Sequence, residues 1–230
     1  MKQLVTVGIV LSRLDYGEAD RILTVLTPDY GKLSLLAKGV RRVKSKLAGG
    51  IELFSVSNIT FIKGRGTLHN VVSTRLVRHY GNIVKNLDRT MLGYGLIKRL
   101  NKITEDEPEP EYFALAEQLF EALDDSAIAL PLIAFWFDVQ LLRLAGHTPN
   151  LQTGNSGKKL VADEQYIFDF EHMSFAARAG APFSADHIKY LRLAFSGNQP
   201  KVLQQVRGSG ELLSEVSPLV RSMLQASALV

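Results

Sequence analysis

The chain has no cysteine, which removes disulfides, thiolate nucleophiles, iron–sulfur clusters and cysteine-based zinc sites from consideration. Long apolar runs are missing too. The longest, residues 127–137, contains Pro131 and falls well short of the ~20 residues a membrane span needs. The apolar run at residues 4–11 is too short for a signal segment and leads into Arg13 and Asp15 with no small-residue cleavage site. The expectation is a soluble cytoplasmic protein without membrane contact. Catalytic signatures are equally scarce. The five histidines (69, 79, 147, 172 and 187) share no ligand spacing, and there is no Gly-x-Ser-x-Gly elbow, Walker A loop or strand-following GxGxxG. No enzymatic activity, metal or other cofactor is expected.

What the front of the chain lacks is acid. Residues 1–80 hold thirteen Lys and Arg against five Asp and Glu, and residues 81–230 hold fourteen against eighteen, together the net +4. The densest part is AKGVRRVKSKLAGGIELF, residues 37–54, where Lys38, Arg41, Arg42, Lys44 and Lys46 fall within nine residues with no acid among them. Desolvating five like charges costs more than any contact returns, so this loop stays in water or meets a polyanion. Phosphate backbone is the commonest large anion for such a surface.

Around that loop the apolar residues have the short period of strands. Val5, Val7, Ile9 and Leu11 alternate; residues 22–26, 33–37, 51–62 and 68–77 read as further strands, with turns at 15–18, 28–31 and 63–66. Five strands in about eighty residues predict a small closed sheet, most often an OB-fold that binds oligonucleotides. The pattern alone leaves an SH3-like barrel open.

After His79 the period lengthens. Residues 82–103 carry Ile83, Val84, Leu87, Met91, Leu92, Leu96, Ile97 and Leu100 at helical spacing, with Gly93 and Gly95 each weakening the helix by ~1 kcal/mol. Residues 104–111 pack five acids and two prolines into a surface loop. Further helices are predicted at 112–123 and 126–145, the second apolar on all sides and therefore central, with Trp136 as core and Gly146 as its stop. Periodicity fades over 147–182, apart from a turn at 153–157, a short strand at 166–170 and a small-residue stretch at 176–181. Helical pattern returns at 184–195, capped by Ser184, at 200–206 and at 212–229. The fold class is α+β: an OB-fold barrel over residues 1–80, then a mostly helical domain over 81–230.

The chemistry on offer is anion binding. Lys38, Arg41, Arg42, Lys44 and Lys46, with Arg21, Lys63 and Arg65 beside them, form the candidate DNA-binding set; Arg75 and Arg78 are neighbours, and Tyr16 and Tyr30, lying in turns, are candidate base-stacking rings. No base-reading helix is evident, so binding is expected to be independent of sequence. Two other readings fit the residues. One is a basic protein-interaction module; the other is a metal-dependent nuclease built on Asp15, Glu18 and Asp20.

Beyond composition, Gly8-Ile9-Val10-Leu11, Tyr16-Gly17-Glu18 with Asp20 and Ile22, Thr27, Gly31, Ala37-Lys38-Gly39 with Arg41, Ser45, Leu47 and Glu52-Leu53-Phe54 together resemble the N-terminal domain of the bacterial recombination mediator RecO family. Arg143-Leu144-Ala145-Gly146-His147-Thr148-Pro149-Asn150-Leu151 resembles that family's junction ahead of its zinc region. The resemblance implies an OB-fold and a helical domain, single-stranded DNA binding with duplex left open, and strand annealing. It also implies contact with single-stranded DNA-binding protein and action with RecR to load RecA at gaps, in a cytoplasmic, nucleoid-associated protein. Many members carry two CxxC pairs where this chain has Gly154 and Gly157 and, further on, Ala176 and Ala179. Without thiolates, residues 147–182 are expected to hold together without zinc.

Overall fold

The computed structural model describes residues 2–155 and 157–229. Five strands, β1 (Gln3–Tyr16), β2 (Asp20–Thr27), β3 (Gly31–Ala37), β4 (Ser55–Ile62) and β5 (Leu68–His79), close a barrel in the order β1-β2-β3-β5-β4. Every neighbouring pair is antiparallel except β3 with β5, where Ser34 stands opposite Leu68 and Leu36 opposite Asn70. A parallel closing pair requires the chain to cross one end of the barrel between β3 and β4. This is an OB-like connection, not an up-and-down one, and residues 38–54 make it. The basic stretch is long because it spans β5. Leu23, Val25, Leu35, Ile59 and Phe61 fill the interior at full burial, following the alternation of their strands.

One predicted strand starts late. Residues 51–54 continue the apolar run of β4, but Ile51 folds over the barrel core and Phe54 turns the chain with φ +56 before β4 begins at Ser55. Phe54 thereby faces two helices, α1 (Leu87–Ile103) and α2 (Pro110–Asp124). Its ring meets Tyr94 at 5.4 Å and Phe120 at 5.6 Å, both edge-on, and a Cβ on Gly93 of α1 would stand 2.6 Å from it. Lys32 of β3 fastens the other end of α1, its Nζ donating to the carbonyls of Asn101 (3.0 Å) and Thr104 (2.5 Å), where a cation suits the helix terminus. The acidic connector after α1 lies along the β2–β3 turn: Lys32 N donates to Glu105 O, and any side chain at Gly31, itself at φ +63, would strike the carbonyls of Asp106 and Glu107. These contacts place α1 and α2 with the barrel in one compact unit, Met1–Ser126, the other being Ala127–Val230. The change of period after residue 79 therefore does not coincide with a break in packing.

Tyr80 is buried beside Phe120 (5.4 Å), with the Arg78 guanidinium 4.7 Å over its ring and no partner for its hydroxyl among the described residues. Burial pushes its pKa up to about 12, the nearby Arg78 charge opposing. The folded state favours neutral phenol, so its contribution is full below the ordinary value near 10 and is lost as pH climbs from there through about 12. Tyr80→Phe should stay within ~1 kcal/mol of wild type at neutral pH and flatten the alkaline loss of stability. Urea melts at pH 8 and pH 11 measure both.

In the second unit, α3 (Leu130–Leu144) is the central helix expected, with Trp136 buried and its Nε1 donating to Asn198 O at 2.8 Å. It starts four residues later than predicted because Pro131 occupies its first turn. Gly146 ends it at φ +79: Gly146 N donates to Arg143 O and His147 N to Leu142 O, the paired bonds of a Schellman stop. Two short strands follow, β6 (Tyr166–Asp169) and β7 (Ser174–Ala177), the second running into the small-residue stretch at Ala176 and Ala177. Helices α4 (Ala185–Phe195), α5 (Pro200–Gln204) and α6 (Ser209–Ala226) complete the chain, α4 capped by Ser184 and His187 in a capping box. Among the described residues no helix is long and apolar enough to cross a membrane.

Candidate nucleic-acid interface

The β3–β4 crossover is clipped to the barrel at three points. Gly39 N donates to Asp20 Oδ1 (2.7 Å), Arg41 N to Ala19 O (2.9 Å), and Thr74 Oγ1 to Leu47 O (3.0 Å). Val40 is buried beneath it, while Lys38, Arg41, Arg42, Val43, Lys44 and Lys46 are exposed. The backbone is held and the cations are left outside.

The acids nearby neutralise only part of this charge. Asp15 takes Arg21 at 2.7 Å and Arg41 at 3.5 Å, and the hydrogen bond from Arg21, with the charges of Arg41 and Arg13, holds its carboxyl below the usual range. Glu52 takes Arg13 at 2.9 Å. Lys38, Arg42, Lys44 and Lys46 make no ion pair among the described residues. The same geometry bears on the nuclease reading: Asp20 anchors Gly39 and Asp15 pairs with two arginines. No group of three or more His, Asp or Glu among the described residues is placed to hold a metal.

Strand register divides the candidate set into two groups. Tyr16 with Asp20, Arg21 with Ala37 and Ser55 with His79 mark one end of the barrel; Gln3 with Ile62 and Thr27 with Gly31 mark the other. Arg21, Lys38, Arg41, Arg42, Lys44 and Lys46 lie at the first end. Lys63 and Arg65, in the β4–β5 turn, lie at the second, one β3 length or about 20 Å away. There Lys63 sits 6.0 Å over the Tyr30 ring, and both border a pocket of about 330 Å³ with Lys32, His69 and Asp106. Tyr30 packs edge-on against Phe61 at 5.6 Å, which makes it part of the barrel wall; Tyr16 is 53% exposed and free to stack. Arg78 is engaged by Glu121 at 2.5 Å, whereas Arg75 is exposed.

Between the two ends runs the outer face of β1–β2–β3. Ser12 bonds Thr24 across it (2.8 Å), and Leu14, Ile22 and Leu36 form the adjoining row, Leu14 being 65% exposed. Sequence reading assigned Leu14 no role. By sequence it is in phase with the buried Thr6, Gly8 and Val10, and the bulge at Val10/Ser12 is what turns it outward.

The zinc positions carry no donor atoms, and the surrounding geometry does not suit a metal. Gly154 N donates to Lys158 O (2.8 Å), Gly157 N to Gly154 O (2.9 Å) and Asn155 N to Phe175 O (3.2 Å), so the predicted turn, whose Ser156 lies outside the described residues, is tied by its own backbone. A Cβ at Gly154 would stand 2.8 Å from the Phe175 carbonyl. Chelators should leave the melting temperature unchanged. Gly154→Cys should cost about 1–3 kcal/mol, since the β7 backbone must move, and thermal melts with and without EDTA test both.

Two family models match the chain: "Recombination protein O N terminal" over residues 1–80 and "Recombination protein O C terminal" over residues 87–228. A DNA repair protein RecO of Dehalococcoides mccartyi is 29% identical over 228 residues, covering 96% of this chain and 88% of its own. Those of Rhodopirellula baltica (36%) and Rubrobacter xylanophilus (33%) each match 63% of this chain, over 54% and 58% of their own lengths. With both halves matched in order and the barrel and helical units in place, this chain belongs to the RecO family of DNA repair proteins.

Proposed function

We propose that the protein is a non-enzymatic mediator of recombinational repair that binds single-stranded DNA without regard to sequence and promotes annealing. The observation that carries this is the set of four cations, Lys38, Arg42, Lys44 and Lys46, with no ion-pair partner among the described residues, on a loop whose backbone is clipped in place. A mobile cationic tail would lose much ordering entropy on binding; this loop loses less, so more of each phosphate contact is available as affinity. The strand would pass from the crossover over the β1–β2–β3 face, past Tyr16 and Leu14, towards Lys63 and Arg65. Neutralising its phosphates lets a complementary strand approach against weakened repulsion. The family relationship extends the reading to contact with single-stranded DNA-binding protein and RecR and to loading of RecA at gaps, in a cytoplasmic, nucleoid-associated setting.

Anisotropy of labelled single- and double-stranded oligonucleotides at several salt concentrations tests the proposal. With four to six phosphates engaged, log Kd should rise with log salt at a slope of about 3–4 for single strands. Binding that ignores salt, or none in dilute buffer, would leave the protein as a basic interaction module.

A further inference from the structure

The pocket at the second end of the barrel gathers more chemistry than phosphates alone require. Tyr30, Ser34, Lys63, Thr67, His69 and Asp106 all border its space of about 330 Å³. The His69 ring is fixed on both counts: it stacks on Phe61 with 5.8 Å between centroids and 14° between planes, and its Nδ1 accepts from Gly64 N at 3.3 Å. Nε2 therefore carries the ring proton and is a donor. Among the described residues the Ser34 and Thr67 hydroxyls have no hydrogen-bond partner, and neither Lys63 nor Asp106 has an ion-pair partner. Unpaired groups are ordinary on a wet surface. Here donors, a cation, a carboxylate and an aromatic face converge on one concavity, which is the makeup of a small-ligand site.

The mixture of signs narrows the ligand. A bare anion is drawn by Lys63 but repelled by Asp106, and a bare cation meets the reverse. A ligand with a phosphate at one end and ring N–H groups at the other uses both, and an aromatic wall suits its ring. That combination is a nucleotide. Every base presents an N–H on its pairing edge, so a single carboxylate serves all four, in keeping with binding that ignores sequence. The volume suits one nucleotide, lying near the floor of the range for small-molecule sites.

Strand register ties the pocket to the DNA path. On the outer face Leu14 stands beside Ile22 and Ile22 beside Leu36; one row on, Ser12 stands beside Thr24 and Thr24 beside Ser34, which is already pocket wall. A strand following these rows from the crossover arrives at the pocket. We propose, resting on the DNA-binding reading above, that the pocket takes one nucleotide out of the bound strand. Lys63 holds its phosphate, Tyr30 packs against its base, and Asp106 accepts from a base N–H. Lys63 is free to turn. At 6.0 Å its ammonium is at the outer limit of a cation–π contact, so little holds it over the Tyr30 ring.

Titrating thymidine monophosphate into the isotope-labelled full chain should move the Gly64 and Gly66 amide signals with a dissociation constant of about 0.1–10 mM, and inorganic phosphate should act at least ~10-fold more weakly. Asp106→Ala separates the two by sign. It should weaken the nucleotide about 3- to 10-fold, through the lost acceptor, and strengthen inorganic phosphate, from which a like charge has been removed. Thr67→Trp fills the pocket from an exposed position. It should lower oligonucleotide affinity about 3- to 10-fold with the salt slope unchanged, since no phosphate contact is lost. Thr67→Ser leaves the space open and should bind as wild type, and circular dichroism checks that both variants fold. Salt-dependent oligonucleotide binding without glycine shifts on adding the nucleotide, or with equal shifts from phosphate, would overturn this inference and leave the DNA reading intact; so would a Thr67→Trp chain that binds strands as wild type does. Absence of all oligonucleotide binding would sink both.

Discussion

Reversing Lys44 and Lys46 together to glutamate should weaken single-stranded DNA binding by roughly 10- to 100-fold and lower the salt slope by about 1.4, while leaving the melting temperature within a degree or two. The stability half of this expectation follows from exposure: neither ammonium has an ion-pair partner among the described residues, and surface charges of that kind contribute little to folding. The binding half follows from placement. Both lysines lie on the crossover between its clip to Asp20 and its contact with Thr74, so their backbones are fixed whichever side chains they carry. The loss should be the same for every oligonucleotide sequence, because phosphate contacts position a strand without reading it. Arg21 and Arg41 are the internal comparison. Each already shares Asp15, so removing either also frees a carboxylate beside the loop and mixes two effects. A salt slope unchanged by the double reversal would remove the crossover from the mechanism. Reversing Lys63 and Arg65 asks a separate question: only a strand that traverses the barrel feels both ends at once.

The barrel was legible in the sequence because alternation is a local signal, and β1, β2 and β3 need only turn residues between them. The closing order was not. No property of residues 68–70 announces that they pair in parallel with β3, yet that pairing turns the basic stretch from a connection between neighbours into a crossover. Charge was legible as composition but not as arrangement. Lys63 and Arg65 belong with Lys38 and Arg41 when counted along the chain, and strand direction sends them to the opposite end. The pairing of Asp15 with Arg21 was within reach, since a hairpin turning at Glu18 sets residues three to either side opposite each other. The double-sided apolar pattern of α1 was visible too, but pattern alone does not say which side the barrel covers. β7 stayed hidden because Ala176 and Ala177 carry no strand signature; what makes them a strand is β6 alongside.

The largest effect on stability should come from Phe54→Ala, a loss of about 3–5 kcal/mol and a fall in melting temperature of roughly 10 °C. The ring is 1% exposed and lies among Tyr94, Phe120 and Gly93, so its removal opens a cavity where the crossover, α1 and α2 converge. Backbone conformation supplies a second expectation with an unusual sign. Phe54 holds φ +56, a left-handed geometry that costs a side-chain-bearing residue about 1 kcal/mol or more and costs glycine almost nothing. Phe54→Gly should therefore be the milder change, although it removes one carbon more. Gly93 completes the cycle. In the wild type, Gly93→Ala gains helix propensity but drives a methyl towards the Phe54 ring at 2.6 Å and the Leu123 side chain at 3.3 Å, and should destabilise. In the Phe54→Ala background the ring is gone, the propensity gain of about 1 kcal/mol remains, and the same substitution should stabilise. Urea denaturation of the four variants measures that reversal of sign. Additive effects would mean that Phe54 and Gly93 do not meet, and the contact holding α1 to the crossover would have to lie elsewhere.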